Sequence, residues 1–179
     1  MFFMFLNPYI KYVSKNVISR KRIKFLYQGK IVFVRLYNGE VNSVVKPYIM
    51  RQFFKKSMFV FLFGGFVYGA LEILWRGYTH PSMLLLGGIC FLIIYGCEQR
   101  QTKAISPLSR AAVYAAFITC LEFIFGLILN IGLGLDIWDY SDLYFNLCGQ
   151  ICLLFSLLWF VLSMLCIYLC KALRLFFEE

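Results

Sequence analysis

Apolar residues dominate four long stretches of the chain, and polar residues cluster between and at the ends of these stretches. The stretches are 57–75, 82–97, 111–133 and 149–170. A helix needs about 20 apolar residues to cross the hydrocarbon core of a bilayer, with a lower limit of about 17. The second stretch is shorter than this limit, so it spans the membrane only if Pro81 or Gln99 extends it, and is otherwise re-entrant. The pattern therefore predicts an all-α membrane protein built as a four-helix transmembrane bundle.

The first 56 residues follow a different pattern, in which short β-type runs and basic clusters replace the long apolar stretches. Residues 31–37 and 41–45 flank Asn38-Gly39, a dipeptide that suits a two-residue hairpin turn because both positions tolerate positive φ. Residues 9–27 could alternatively form an interfacial helix. We therefore expect two regions. Residues 1–56 form a basic cytoplasmic or membrane-surface region with a short β-hairpin, and residues 57–175 form the four-helix transmembrane domain.

The composition agrees with membrane insertion and indicates an orientation. Hydrophobic residues make up 61% of the chain and charged residues only 15%, which is unlike soluble proteins. Twelve of the 18 Lys and Arg residues precede residue 57, and others follow the second and fourth stretches, whereas the two remaining loops hold only Arg76. Because cytoplasmic flanks carry the excess of Lys and Arg, a multi-pass protein of the cell membrane with both termini in the cytoplasm is predicted. This asymmetry favours lipid headgroups over nucleic acid as the partner of the basic region.

A charged pair lies at the end of the first apolar stretch, with Glu72 inside the stretch and Arg76 directly after it. Gly65, Gly69, Glu72 and Arg76 are separated by four, three and four residues, so on a helix they share one face within about 60° of arc. Glycines spaced in this way allow a second helix to approach closely, and Glu72 can pair with Arg76 along the helix. Ionisable residues at this depth mark a functional pathway by default.

Further polar residues follow the third stretch and begin the fourth. Glu122 and Gly126 share a narrow face of the third helix, and Ser156 lies on a small-residue face of the fourth together with Gly149. By the predicted topology, Asp139 lies on the side of the membrane where Arg76 emerges and could reach it. The candidate polar cluster comprises Glu72, Arg76, Glu122, Trp138, Asp139, Tyr140, Asn146 and Ser156, and the candidate helix-packing residues are Gly65, Gly69, Gly126 and Gly149. We expect this cluster to open toward the outside.

Motifs of several enzyme and cofactor classes are absent from the sequence. It contains no GxxxxGK[ST] loop, no HExxH and no GxSxG motif. Seven cysteines and one histidine are present, but Cys148/Cys152 and Cys166/Cys170 have i,i+4 spacing and not the CxxC spacing of zinc sites. We interpret the cysteines as small packing residues of the bundle. The sequence predicts no catalytic residue, no metal site and no cofactor.

Three segments of the sequence together resemble a known family. They are GGFVYGALEILWRG at 64–77, CLEFIFGLILN at 120–130 and WDYSDLYFNLCGQICLLFSLLW at 138–159. In this order they resemble the bacterial membrane proteins labelled putative type IV ABC-transporter permeases, or CmpB-like proteins, over about residues 57–170. A glycine- and proline-rich motif that follows the first helix of many members is absent here. The resemblance implies that the family's polar motif residues correspond to Glu72, Arg76, Glu122, Trp138, Asp139, Tyr140, Asn146, Ser156 and Trp159.

Three functions are compatible with these observations. The first is a permease-like transmembrane component of a transporter with an outward-opening polar site, which the family resemblance implies and the buried charges support. The second is a non-transporting membrane protein of assembly, lysis or envelope interaction, in which the polar cluster is structural. The third, an intramembrane enzyme that uses Glu72, Glu122 or Asp139 as acid or base, lacks any diagnostic spacing. The expected partners are membrane lipids and either further copies of the chain or a separate ATPase subunit.

Overall fold

The computed structural model describes residues 22–27, 30–35, 42–100 and 105–178, with side chains described over 50–100 and 105–177. By internal contacts the chain divides into two compact units. One consists of Met1–Ser57 and Phe176–Glu179, and the other consists of Met58–Leu175. Every contact of the candidate site described below lies in the second unit.

A two-stranded hairpin forms in the N-terminal unit, but not where the sequence pattern placed it. Strands β1 (Arg22–Tyr27) and β2 (Lys30–Arg35) pair antiparallel, with Tyr27 opposite Lys30. The predicted strand 31–37 coincides with β2 over residues 31–35, whereas the predicted partner strand 41–45 is wrong, because helix α1 already begins at Asn42. Strand β2 pairs instead with the earlier strand β1, over six cross-strand residue pairs. The predicted turn at Asn38-Gly39 lies outside the described residues. The alternative helix at 9–27 lies mostly outside the described residues, and its last six residues form β1.

Four helical segments in the described part of the chain are long and apolar enough to cross a membrane. They are Met50–Arg76 within α1 (Asn42–Arg76), Pro81–Arg100 as α2, Pro107–Gly132 and Leu153–Phe177 within α4 (Leu153–Glu178). The third consists of α3 (Pro107–Gly126) and a π-helical segment, Leu127–Gly132. Helix α2 has 20 residues and includes both Pro81 and Gln99, which gives it a length of about 30 Å, enough to cross the hydrocarbon core. The four-helix transmembrane bundle predicted from the sequence is confirmed.

Helices α1 and α2 pack closely through glycines. A Cβ atom at Gly65 would lie 2.6 Å from the carbonyl oxygen of Leu84, and one at Gly69 would lie 3.3 Å from the side chain of the same residue. From the opposite direction, Cβ atoms at Gly87 and Gly88 would lie 2.4 Å and 2.7 Å from side-chain atoms of α1. Gly65 and Gly69 therefore lie at a helix contact, and α2 contributes glycines that the sequence reading did not single out.

The segment before α4 is a short hairpin and not the first turns of a helix. Strands β3 (Asn146–Leu147) and β4 (Ile151–Cys152) pair antiparallel, and the chain turns between them at Cys148 and Gly149, whose φ angles are 53° and 67°. A Cβ atom at Gly149 would lie 2.5 Å from the hydroxyl oxygen of Ser141. The prediction that Gly149 is a helix-packing residue of the fourth helix is therefore wrong. It is required by a turn, because two consecutive left-handed residues reverse the chain there.

Candidate functional site

The last turn of α1 carries an ion pair that also fixes the loop after the π-helical segment. The guanidinium Nη2 of Arg76 donates to Oε1 of Glu72 at 2.7 Å, and its Nη1 donates to the carbonyl oxygen of Ile137 at 2.8 Å. The hydroxyl of Thr79 donates to the other carboxylate oxygen of Glu72. Both charged side chains are mostly buried. The pair therefore neutralises two charges within the bundle and connects α1 to a loop 61 residues away.

Glu122 lies on α3 and is only 1% exposed. Its Oε1 accepts from the phenol of Tyr140 at 3.1 Å, and its Oε2 accepts from the indole Nε1 of Trp159 at 2.7 Å. Burial raises the pKa of Tyr140 well above the usual range, so this phenol stays protonated and able to donate. One carboxyl group thus connects α3, the loop before β3 and α4, and each of its oxygens has a donor.

Asn130 in the π-helical segment organises the loop that follows it. Its amide nitrogen donates to the carbonyl oxygen of Trp138 at 2.9 Å and to the side-chain oxygen of Gln150 at 2.8 Å. Its side-chain oxygen accepts from the backbone nitrogen of Ile137 at 2.8 Å. The indole of Trp138 in turn donates to the carbonyl oxygen of Gln150 at 3.0 Å. Trp138 is among the residues predicted from the sequence, but Gln150 is not, because an amide beside a glycine at the start of an apolar stretch is its only signal.

Asp139 stabilises the loop locally and does not pair with Arg76. Its Oδ1 accepts from the hydroxyl of Ser141 at 2.6 Å and from the backbone nitrogen of the same residue at 2.9 Å. These hydrogen bonds hold the pKa of the Asp139 carboxyl group below its usual value, and the bond from the hydroxyl has the larger effect. Among the residues with described side chains, the ion pairs are Arg76–Glu72 and Arg110–Glu98. The expected contact between Asp139 and Arg76 is therefore wrong, because each group finds a nearer partner.

A cavity of about 350 Å³ lies between the last turns of α1, the loop 136–140 and the first turns of α4. Seven of its lining residues are aromatic: Tyr68, Trp75, Tyr78, Trp138, Tyr140, Phe155 and Trp159. Several of these rings contact one another. The rings of Tyr140 and Phe155 stack with centroids 4.6 Å apart, those of Tyr68 and Trp159 stack at 5.6 Å, and Trp75 meets Phe155 edge-on at 6.3 Å. The charged lining residues are Glu72, Arg76, Asp136 and Asp139.

The structure brings five of the eight predicted cluster residues to the wall of this cavity: Glu72, Arg76, Trp138, Asp139 and Tyr140. Glu122 lies behind the wall, bonded to two of the aromatic lining residues. Asn146 and Ser156 have local roles instead. The amide of Asn146 donates to the carbonyl oxygens of Ser141 and Leu143, and Ser156 donates to the carbonyl oxygen one turn earlier and accepts from Thr119.

Most of the aromatic wall was missed by the sequence reading. Tyr68, Trp75, Tyr78 and Phe155 stand in apolar stretches or beside a charged residue, where an aromatic side chain is ordinarily a lipid-facing or packing residue. Gly126 was predicted to pack against a helix, but a Cβ atom there would lie 2.5 Å from the side-chain oxygen of Gln150, ahead of α4. Its neighbour is therefore the hairpin that precedes the fourth helix.

A second charged cluster lies where α2 ends and α3 begins, away from the cavity. The guanidinium of Arg110 donates to Oε2 of Glu98 at 2.6 Å, and the phenol of Tyr114 donates to Oε1 of the same carboxylate at 2.7 Å. These bonds connect the end of α2 to the beginning of α3. The cluster has a clear structural role in joining two consecutive helices.

Comparison with known proteins identifies one family. The model of the family described as "Putative ABC-transporter type IV" matches residues 49–177. No curated protein and no solved structure matches the chain. Within the residues that the structure describes, no group of three or more His, Cys, Asp and Glu side chains could hold a metal ion.

Proposed function

Because the chain belongs to the family described as "Putative ABC-transporter type IV", we propose that it is the membrane component of a transporter and that its aromatic cavity binds the transported solute. The observation that carries this proposal is the cavity at one end of the bundle, where α1, the loop 136–140 and α4 meet. Ligand sites of proteins are concave and mostly apolar, with a few placed polar groups. The cavity has this composition.

Hydrogen bonds within the chain position part of the cavity wall. Arg76 holds the loop through the carbonyl oxygen of Ile137, and Glu122 holds Tyr140 and Trp159. A site whose side chains are already positioned loses less conformational entropy when a ligand binds. The buried charges therefore support binding by positioning the wall, and only a few polar groups remain to contact the solute.

The cavity lies on the outer side of the membrane in this proposal. Its walls come from the end of α1 and the beginning of α4, and the loops at this end of the bundle carry few basic residues. The positive-inside rule assigns such loops to the outside. The sequence contains no GxxxxGK[ST] loop, so the proposal includes a separate ATPase subunit as the source of energy.

The proposal is tested by filling the cavity without touching its hydrogen bonds. Leu71→Trp adds a large side chain at a cavity position that is 42% exposed. The matched control is Leu62→Trp, at a position on the same helix that is 48% exposed and does not line the cavity. Metabolite profiling compares cells that lack the gene with cells that express each variant at equal membrane levels.

We expect at least one small solute whose cellular level depends on the gene, and we expect Leu62→Trp but not Leu71→Trp to restore that level. The same membranes, solubilised and purified through the chain, are expected to yield an ATPase subunit. If Leu71→Trp restores every gene-dependent difference as fully as the wild type does, the cavity is not the solute site.

A second candidate function is supported by the complete pairing of the buried carboxylates. Both oxygens of Glu72 and both oxygens of Glu122 accept hydrogen bonds from within the chain. This is the arrangement expected of a non-transporting membrane protein whose polar cluster only fixes the helices. It predicts that Leu71→Trp is silent in the profiling experiment while changes at Glu122 reduce stability alone.

A further inference from the structure

We propose that the cavity takes a small organic cation, such as a quaternary or protonated amine, against its aromatic walls. This inference rests on the proposed function, in which the cavity binds a solute, and it names the chemical class of that solute.

The aromatic wall of the cavity favours the binding of a cation. The face of an aromatic ring carries partial negative charge and attracts ammonium or guanidinium groups within about 6 Å of the ring centroid. One ring of this wall already does so, because the guanidinium carbon of Arg76 lies 4.7 Å from the ring centroid of Tyr78. The six other aromatic lining residues include Trp75, which is 74% exposed. An amine that enters the cavity therefore meets several rings on which a cation can be placed.

The charges around the cavity that have no ionic partner are negative, which favours a cation. Arg76 and Glu72 neutralise each other at 2.7 Å. Asp136 and Asp139 remain, and among the described lining residues there is no second cation to offset them. The bonds from Ser141 hold the pKa of Asp139 below its usual value, so this carboxylate stays ionised at neutral pH. The unpaired charge at the cavity is therefore negative.

The volume of the cavity is sufficient for a small cation. Ligand cavities in proteins commonly measure about 300–1,000 Å³, and the value of about 350 Å³ here is near the lower end. A single small amine headgroup fits such a volume. The headgroup can belong to a free solute or to a lipid, since both present the same ammonium chemistry.

The test measures the binding of three probes of the same shape and different charge to the purified protein. Choline is the cation, 3,3-dimethylbutan-1-ol is its neutral isostere and 3,3-dimethylbutanoate is an anion of similar shape. Titrations are performed by calorimetry in a maltoside detergent, which carries no ammonium group. We expect choline to bind about tenfold more tightly than the neutral isostere, and we expect the anion not to bind.

Matched variants separate the aromatic from the charge contribution. Trp75→Leu is expected to weaken choline binding by about three- to thirtyfold, whereas Phe66→Leu, at a 67% exposed aromatic position of the same helix outside the cavity, has no effect. Asp136→Asn with Asp139→Asn is expected to weaken choline binding and to leave that of the neutral isostere unchanged. Asn suits both positions, because it tolerates the φ of 45° at residue 136 and keeps the acceptor oxygen used at residue 139.

Reconstitution into nanodiscs distinguishes the source of the headgroup. If lipid supplies it, free choline binds in phosphatidylglycerol discs but is displaced in phosphatidylcholine discs. If a free solute supplies it, choline binds equally in both. Either result supports a cation site.

Equal binding of choline and the neutral isostere, tighter binding of the anion, or no binding of choline at millimolar concentration would overturn the cation inference. The proposed function is decided separately by the profiling of Leu71→Trp and Leu62→Trp. If the profiling identifies a neutral or anionic solute, the cation inference is refuted and the proposed transporter function is supported.

Discussion

Replacing Glu122 by leucine removes the acceptor shared by Tyr140 and Trp159. The two donors would then be left without the partner they have in the structure. An unsatisfied buried donor costs about 1–3 kcal/mol, so we expect Glu122→Leu to lower the free energy of unfolding by about 2–6 kcal/mol. Glu122→Gln keeps one acceptor oxygen for the indole and can donate to the phenol oxygen. Its cost is therefore expected to be smaller.

A double-mutant cycle with Trp159→Phe isolates the shorter of the two bonds. Hydrogen bonds between membrane helices average about 0.6 kcal/mol in such cycles and reach about 1.7 kcal/mol. For the 2.7 Å bond between Trp159 and Glu122 we therefore expect a coupling energy of about 0.6–1.7 kcal/mol.

The assay is unfolding by SDS in mixed micelles, followed by tryptophan fluorescence and by helix content. The wild type, the two single variants Glu122→Leu and Trp159→Phe, and the double variant are measured under identical conditions. A coupling energy within about 0.3 kcal/mol of zero, or a Glu122→Leu variant at least as stable as Glu122→Gln, would refute the view that this carboxyl group stabilises the bundle.

Three further predictions use the same unfolding assay or the tryptophan fluorescence of the loop. Gly65→Ala is expected to cost about 1–3 kcal/mol because its Cβ would lie 2.6 Å from a backbone oxygen of α2, whereas Gly96→Ala, with nothing within 4 Å, is expected to be neutral or stabilising. Gly149→Ala is expected to cost more than Gly134→Ala, because both glycines have positive φ but only the first would also clash; equal costs would contradict this. The lowered pKa of Asp139 means that its loop contact is present above the unfolded-state pKa of about 3.9 and is lost as the pH falls through the lower native value, so the difference in loop fluorescence between Asp139→Asn and the wild type should be the same at pH 7 and pH 5; a difference that shrinks between these values would contradict this.

The transmembrane helices could be predicted because their signal is a sum over many residues. A stretch of some 20 apolar side chains has few alternatives to a membrane helix, and single polar residues do not change that result. The first part of the fourth stretch, 149–152, shows the limit. In the sequence these residues continue the apolar run, but the left-handed backbone at Cys148 and Gly149 turns the chain, so that this part completes a hairpin and does not begin the helix. Hydropathy carries no information about φ.

The charged residues of the candidate site could be predicted from the sequence, but their hydrogen-bond partners and most of the aromatic wall could not. Glu122 and Trp159 are visible in the sequence as a polar and an amphipathic residue in apolar stretches, and Tyr140 as an aromatic residue in the polar segment between them. That the three form one hydrogen-bonded group depends on how the loop returns over the bundle, and Asn130 and Gln150 determine that path through contacts across 20 residues. Asp139 was assigned to Arg76 by topology, but a serine two residues away is always within reach and a distant arginine is not.

The π-helical segment Leu127–Gly132 makes chain length, as well as residue identity, a requirement of the site. A π-helical turn accommodates one residue more than an α-helical turn, and here it presents Asn130 to the loop. In the α-helical part, α3, each residue turns the helix by about 100°, so deleting one residue there would rotate Asn130 by about 100° around the helix axis and break its bonds to the loop. Within Leu127–Gly132 the same deletion removes the extra residue of the wider turn, and a return to α-helical winding would leave the asparagine on nearly the same face. The place of a one-residue deletion in this apolar run thus decides whether the site is kept.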